Sequence, residues 1–143
     1  MGTSLVDPRI GEAGDVDTAI VTLTFENGAL GVIDNSRRAA YGYAQRVEVL
    51  GSLGMAAGEN DGDSTVRVST AAGVMSDKPQ YFFLERYMAS FIEEMKQFIA
   101  AINEDKEVPV GIHAGLMSVV LAKAAKKSLD EHRPVKISEI LEA

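Results

Sequence analysis

Residues 34–52 read DNSRRAAYGYAQRVEVLGS, and they hold the chain's most chemically suggestive cluster. Arg37, Arg38, Tyr41 and Tyr43 crowd around Gly42 between two strand-like runs. A guanidinium offers five fixed N–H donors, and a phenol couples an apolar ring face to a hydroxyl that both donates and accepts. Such a set suits a polyol, whose C–H faces stack on a ring while its hydroxyls find polar partners. The same residues also suit a plain hairpin in which Tyr41 and Tyr43 pack across strands with wet hydroxyls. Spacing alone does not choose between the two.

The remaining candidates have bland explanations. His113 and His132 flank one helical segment. A catalytic base needs a neighbour that orients it, and none can be named, so surface or helix-end roles are expected, with His132 placed to cap carbonyls. No serine sits in a nucleophile context. GSLGMAAG carries Gly51, Gly54 and Gly58 but lacks G-x-G-x-x-G and a following helix, so turn glycines are expected. ENDGDS (59–64) lacks the flanking helices and closing glutamate of a calcium loop. Glu12, Asp15 and Asp17 read as a solvated acidic loop rather than a metal site. No catalytic, cofactor-binding or metal-ligating residue is therefore assigned.

The elements that must position the Arg/Tyr cluster follow from periodicity. Residues 1–16, broken by Pro8, Gly11 and Gly14, read as a lead-in loop. DTAIVTLTF alternates, with Ala19, Val21, Leu23 and Phe25 on one face and Thr18, Ile20, Thr22 and Thr24 on the other. Asn27-Gly28 signals a hairpin turn with positive φ at both residues, returning the chain as ALGVIDNS. QRVEVLGS, GMAAGE, TVRVST and GVMSD continue the meander. Met88, Phe91, Ile92, Met95, Phe98, Ile99 and Ile102 then recur at helical spacing within 84–103. A second helix is predicted over 114–131, with Met117, Val120, Leu121, Ala124, Ala125 and Leu129 as its stripe, and Pro134 ends it. VKISEILEA closes the chain as an extended piece with a short helical turn. Strands first and helices second imply an α+β fold: one open, mostly antiparallel sheet with two long helices packed on one face. The threonine-rich face is neither charged nor greasy, as a subunit contact would be.

The 143 residues suffice for one domain, 1–143, with its own core. A net charge of −7 argues against a nucleic-acid partner. No run approaches the ~18 apolar residues of a membrane span. The absence of cysteine fits a reducing, cytoplasmic setting.

The segment FENGALGVIDNSRRAAYGYAQRVEVLGSLGM resembles the second domain of inositol 2-dehydrogenases, in the glucose–fructose oxidoreductase / inositol dehydrogenase / MocA family. The later segments YFFLERYMASFIEEMKQFIAAI and VPVGIHAGLMSVVLAKAAKKSLDEHRPVKISEI are similar to that family's closing helices and tail. The resemblance runs from about Asp15 to Ile140, and Tyr41-Gly42-Tyr43 followed by Gln45-Arg46 is its most specific part. It implies a two-domain parent enzyme with an NAD-binding Rossmann unit and a second domain of the architecture read above, which oligomerises through its free sheet face. It places the NAD fingerprint, the catalytic lysine and the Asp and His that act on the substrate hydroxyl upstream of Met1. What carries over to this chain is a polyol- or sugar-binding role for Tyr43, then Tyr41, with Asn35 and Arg37 as neighbours. Ala44 stands where inositol-type relatives often have aspartate, which leaves the exact polyol open. The chain alone is expected to bind no NAD and to be inactive. The alternative is a free-standing, non-enzymatic scaffold or binding domain that reuses the fold.

Overall fold

A computed structural model describes residues 1–142. The chain separates into two compact units, one formed by 1–38 and 101–143, the other by 39–100. Its fold is α+β, with antiparallel sheets and two long helices.

In the first unit β1 (Gly2–Thr3), β2 (Thr18–Thr24) and β3 (Leu30–Ser36) form a three-stranded antiparallel sheet in the order β1-β2-β3. The β2–β3 register pairs Val21 with Ile33 and Thr22 with Val32. The expected alternation holds from Ala19 to Thr24, with Ala19, Val21 and Leu23 half-buried and Ile20, Thr22 and Thr24 exposed, but it fails at both ends: Thr18 is half-buried and Phe25, just past the strand, is exposed. The turn differs in kind from a two-residue hairpin. The Phe25 N–H donates to Ala29 O and the Gly28 N–H to Phe25 O, and Gly28 alone takes a positive φ, of 84°. Asn27 keeps an ordinary φ and uses its Oδ1 to accept from the Ala29 N–H. The loop is thus three residues with glycine at the left-handed position.

Residues 1–16 are more ordered than a lead-in loop. After β1 comes α1 (Pro8–Glu12), whose N-cap Asp7 accepts from the Arg9 N–H, with Pro8 in the first turn. Proline there gives up a donor that the helix does not use. Asp17 departs further from expectation, because it is buried rather than solvated. Its Oδ2 accepts from the Val6 and Asp7 N–H groups at 2.8 and 2.7 Å, and its Oδ1 from Thr18 Oγ1. Burial alone would raise its pKa. The hydrogen bonds from Asp7, Thr18 and Val6 outweigh that and hold the carboxyl below its ordinary range. Asp17 therefore ties the lead-in segment to the start of β2.

The first unit also contains α3 (Ile112–Glu131) and α4 (Ser138–Leu141). Val120 and Ala124, one turn apart on α3, are buried as the predicted stripe requires. His132 ends α3 through its backbone, at φ 55° and ψ 37°, and not through an imidazole cap. Ser128 Oγ then donates to Arg133 O at 2.7 Å.

Arg133 holds Glu139 of α4 with two guanidinium hydrogen bonds, of 2.7 and 3.1 Å, and the Lys136 N–H adds a third. The Arg133 pairing, then the Lys136 N–H, pull the Glu139 carboxyl down to about 2. A depressed folded-state pKa stabilises the fold above the ordinary value of 4.5 and loses that effect as pH falls toward 2. Both side chains are partly exposed, so solvent screens the pair. Glu139→Gln should lower Tm by roughly 1–3 °C at pH 7. The gap from wild type should close between pH 4.5 and 2; a gap constant across that window would dismiss the ion pair as its source.

In the second unit β4 (Val47–Gly51) pairs with β5 (Gly54–Gly58), and β6 (Arg67–Thr70) with β7 (Gly73–Ser76). The helix α2 (Phe83–Asn103), whose last three residues are counted with the first unit, begins one residue before its predicted start. Glu85 in its first turn accepts from the Tyr81 and Phe82 N–H groups, satisfying donors that the helix leaves free. Its apolar stripe is exposed from Met88 to Ile102, and Ala101 is the helix's buried residue.

Candidate functional site

The sequence-predicted residues divide between the two units. Asn35 and Arg37 belong to the first. Asn35 lies in β3 opposite Ala19 and is exposed. The Arg37 N–H donates to Asp17 O at 2.8 Å, and its side chain lines an open cleft of about 510 Å³ with Asp7, Arg9 and Asp15. Asp7 in that cleft is already engaged by Arg9 at 2.6 Å.

Tyr41 and Tyr43 belong to the second unit, on the irregular stretch leading to β4. Three backbone donors pin this stretch. The Gly42 N–H donates to Ala39 O, the Tyr43 N–H to Gln80 O at 2.8 Å, and the Gln45 N–H to Asn60 Oδ1 at 2.7 Å. Gly42 is buried with φ 145°, and a Cβ on it would lie 2.6 Å from Pro79 O. Only glycine lets the backbone come this close in that conformation.

Held in this way, Tyr43 sets its ring at 83° to that of Tyr87, with centroids 5.6 Å apart. This is the edge-to-face arrangement that ring quadrupoles favour. The Tyr87 hydroxyl donates to Gln45 Oε1, and its ring continues to Phe91 one turn along α2. Burial pushes the Tyr87 phenol above its ordinary pKa, and the Tyr43 hydroxyl beside it adds to the shift. Next to Tyr87, Arg86 reaches Asp61 at 3.3 Å, and its buried Nε meets no acceptor among the described residues. Tyr43 remains 37 % exposed, so part of its side chain is open to a ligand. Tyr41, 53 % exposed, stacks on no other ring among the described residues.

Sequence reasoning singled out Tyr43 but not Tyr87. Its i, i+4 relation to Phe91 was the available signal, and it lies beside the Met88 stripe rather than on it. Among the described residues no three His, Asp or Glu side chains converge as a metal site would require. No helix among them is long and apolar enough to cross a membrane.

Comparison with known proteins identifies the domain. A 54 % identical relative, the uncharacterized oxidoreductase YrbE of Bacillus subtilis, matches over 95 % of this chain and 40 % of its own length. The myo-inositol 2-dehydrogenase of Thermotoga maritima is 50 % identical over 98 % of this chain and 42 % of its own. The crystal structure of a probable dehydrogenase from Thermotoga maritima superposes with a TM-score of 0.93 at 50 % identity, covering 97 % of this chain and 42 % of that one. The chain thus spans about two fifths of the length of these relatives. The profile described as "Oxidoreductase family, C-terminal alpha/beta domain" matches residues 2–137. The chain belongs to the C-terminal alpha/beta domain of the glucose–fructose oxidoreductase / inositol dehydrogenase / MocA oxidoreductase family.

Proposed function

We propose that residues 1–143 serve as the substrate-facing and oligomerisation domain of an NAD-dependent inositol-type dehydrogenase, which transfers hydride from a secondary alcohol carbon to NAD. The observation that carries this reading is Tyr43: a partly exposed tyrosine on a pinned loop, in a domain half identical to that of a myo-inositol 2-dehydrogenase. One ring face and one hydroxyl match the alternating C–H and O–H surfaces of a cyclitol.

The described residues do not fit the dinucleotide itself. Gly51 and Gly54 turn a β-hairpin, whereas a dinucleotide cradle needs glycines between a strand and a helix N-terminus. In this reading NAD, the catalytic lysine and the base lie in the part of the enzyme outside residues 1–143. This chain orients the polyol from one side.

The subunit contact is assigned to the face carrying Ile20, Thr22 and Thr24. Opposite them on β3 stand Asp34, Val32 and Leu30. Val32 and Leu30 are 67 % and 78 % exposed, an apolar strip that a second copy would cover. A stable contact of this kind buries more than ~1,000 Å² in total. In light scattering at tens of micromolar the chain should exceed its monomer mass, and Thr22→Lys should restore the monomer. A wild-type monomer under those conditions excludes the contact.

The catalytic half is tested with the full-length enzyme that contains this chain. It should produce NADH from NAD and myo-inositol, and the 143-residue chain alone should produce none. Inertness of the full-length protein toward a panel of cyclitols and aldoses would reject the dehydrogenase reading.

A further inference from the structure

We infer that Tyr87 and Gln45 form a positioning pair for Tyr43, fixing where its hydroxyl meets the polyol. The inference rests on the reading of Tyr43 as a polyol contact and extends it to two residues that need not touch the substrate.

Tyr87 bonds Gln45 across 42 positions of sequence, so the contact joins α2 to the loop ahead of β4. The Gln45 backbone is anchored separately by Asn60 Oδ1. Backbone anchors at Tyr43 and Gln45 fix where the loop runs, but they leave the χ1 and χ2 torsions of Tyr43 free. The Tyr87 ring, set at 83° to that of Tyr43, is what limits them. Tyr87 could itself turn about its own χ angles, and its hydroxyl bond to Gln45 prevents that. The order of dependence is therefore Gln45, then Tyr87, then Tyr43. Phe91 supports the same ring from the next turn of α2, with centroids 6.2 Å apart, and the helix supplies a rigid base.

Holding a group that contacts substrate in ground state and transition state alike changes KM more than kcat. In the full-length enzyme, Tyr87→Phe and Gln45→Leu should each raise KM for the polyol roughly 3- to 10-fold, with kcat within about twofold. The double variant should be no worse than either single one, because both remove the same hydrogen bond. A residue that only packs would lower Tm and leave KM unchanged, and Tyr87→Phe keeps the ring. A second reading needs no turnover. In the 143-residue chain labelled at tyrosine Cζ there are four signals, and Tyr87→Phe should shift that of Tyr43.

An unmoved Tyr43 signal overturns the inference. So does an unchanged KM in Tyr87→Phe where Tyr43→Phe is impaired, a result that leaves Tyr43 as a polyol contact. Silence of both Tyr43→Phe and Tyr87→Phe overturns the polyol reading and the positioning role together.

Discussion

Tyr43→Phe in the full-length enzyme should lower kcat/KM for the polyol roughly 5- to 150-fold while leaving Tm nearly unchanged. The magnitude comes from the cost of leaving a substrate hydroxyl without its partner in an enclosed site, ~1–3 kcal/mol. At ~1.4 kcal/mol per tenfold this converts directly to the stated range. The stability expectation comes from the geometry. Phenylalanine keeps the ring that makes the T-shaped pair with Tyr87, and the Tyr87 hydroxyl keeps its bond to Gln45. Tyr43→Ala, by contrast, deletes the ring pair, worth ~0.5–1.5 kcal/mol, and should lower Tm as well. Tyr41→Phe is the internal control: it comes from the same loop, but it has no ring partner among the described residues and a smaller expected effect. Wild-type kcat/KM in Tyr43→Phe would mean that the tyrosine only packs, and that another group faces the substrate.

The parts of the fold legible in the sequence are those whose information is local. Alternation along 18–24 marks β2 and its half-buried face, and the 3.6-residue stripe marks α2 to within one residue of its start. These patterns report which side of an element is apolar, and nothing more. They do not say which strands pair, so the separation of β1–β3 from the β4–β5 and β6–β7 hairpins lies outside them. Short elements fail for a different reason. The five residues of α1 are too few to show a period, although Asp7-Pro8 is a helix-start signal. Asp17 fails because charge predicts solvent unless a buried acceptor meets donors, and its donors come from Val6 and Asp7, on a segment that carries no strand or long-helix pattern.

The candidate site divides along the same line. Tyr41, Gly42 and Tyr43 stand out because an aromatic pair around a glycine is locally unusual. The Tyr87–Gln45 bond is a tertiary fact, and neither residue advertises it. Gln45 belongs to the most specific part of the family resemblance, yet its partner on α2 becomes visible only when the helix is placed against the loop.

Gly42→Ala should be the most damaging single-methyl change in the chain. Gly42 has φ 145°, a conformation that costs an L-residue about 1–3 kcal/mol. Its Cβ would also lie 2.6 Å from Pro79 O, and a backbone carbonyl cannot rotate away as a side chain can. Relief requires the loop to move. The adjacent Tyr43 N–H would then lose its 2.8 Å bond to Gln80 O, and Tyr43 would swing off its edge-on contact with Tyr87. Strain and lost bonds together reach ~3 kcal/mol or more, or roughly 10 °C in Tm for a domain of this size. In the full-length enzyme kcat/KM should fall further than in Tyr43→Phe, because ring and hydroxyl are both displaced. Gly54 separates the two causes: its φ is 149°, but a Cβ there meets nothing within 4 Å. Gly54→Ala should therefore show only the backbone strain, with a smaller Tm loss and unchanged kinetics. Equal losses in the two variants would show that the Pro79 contact does not hold the loop, and that the placement of Tyr43 has another source.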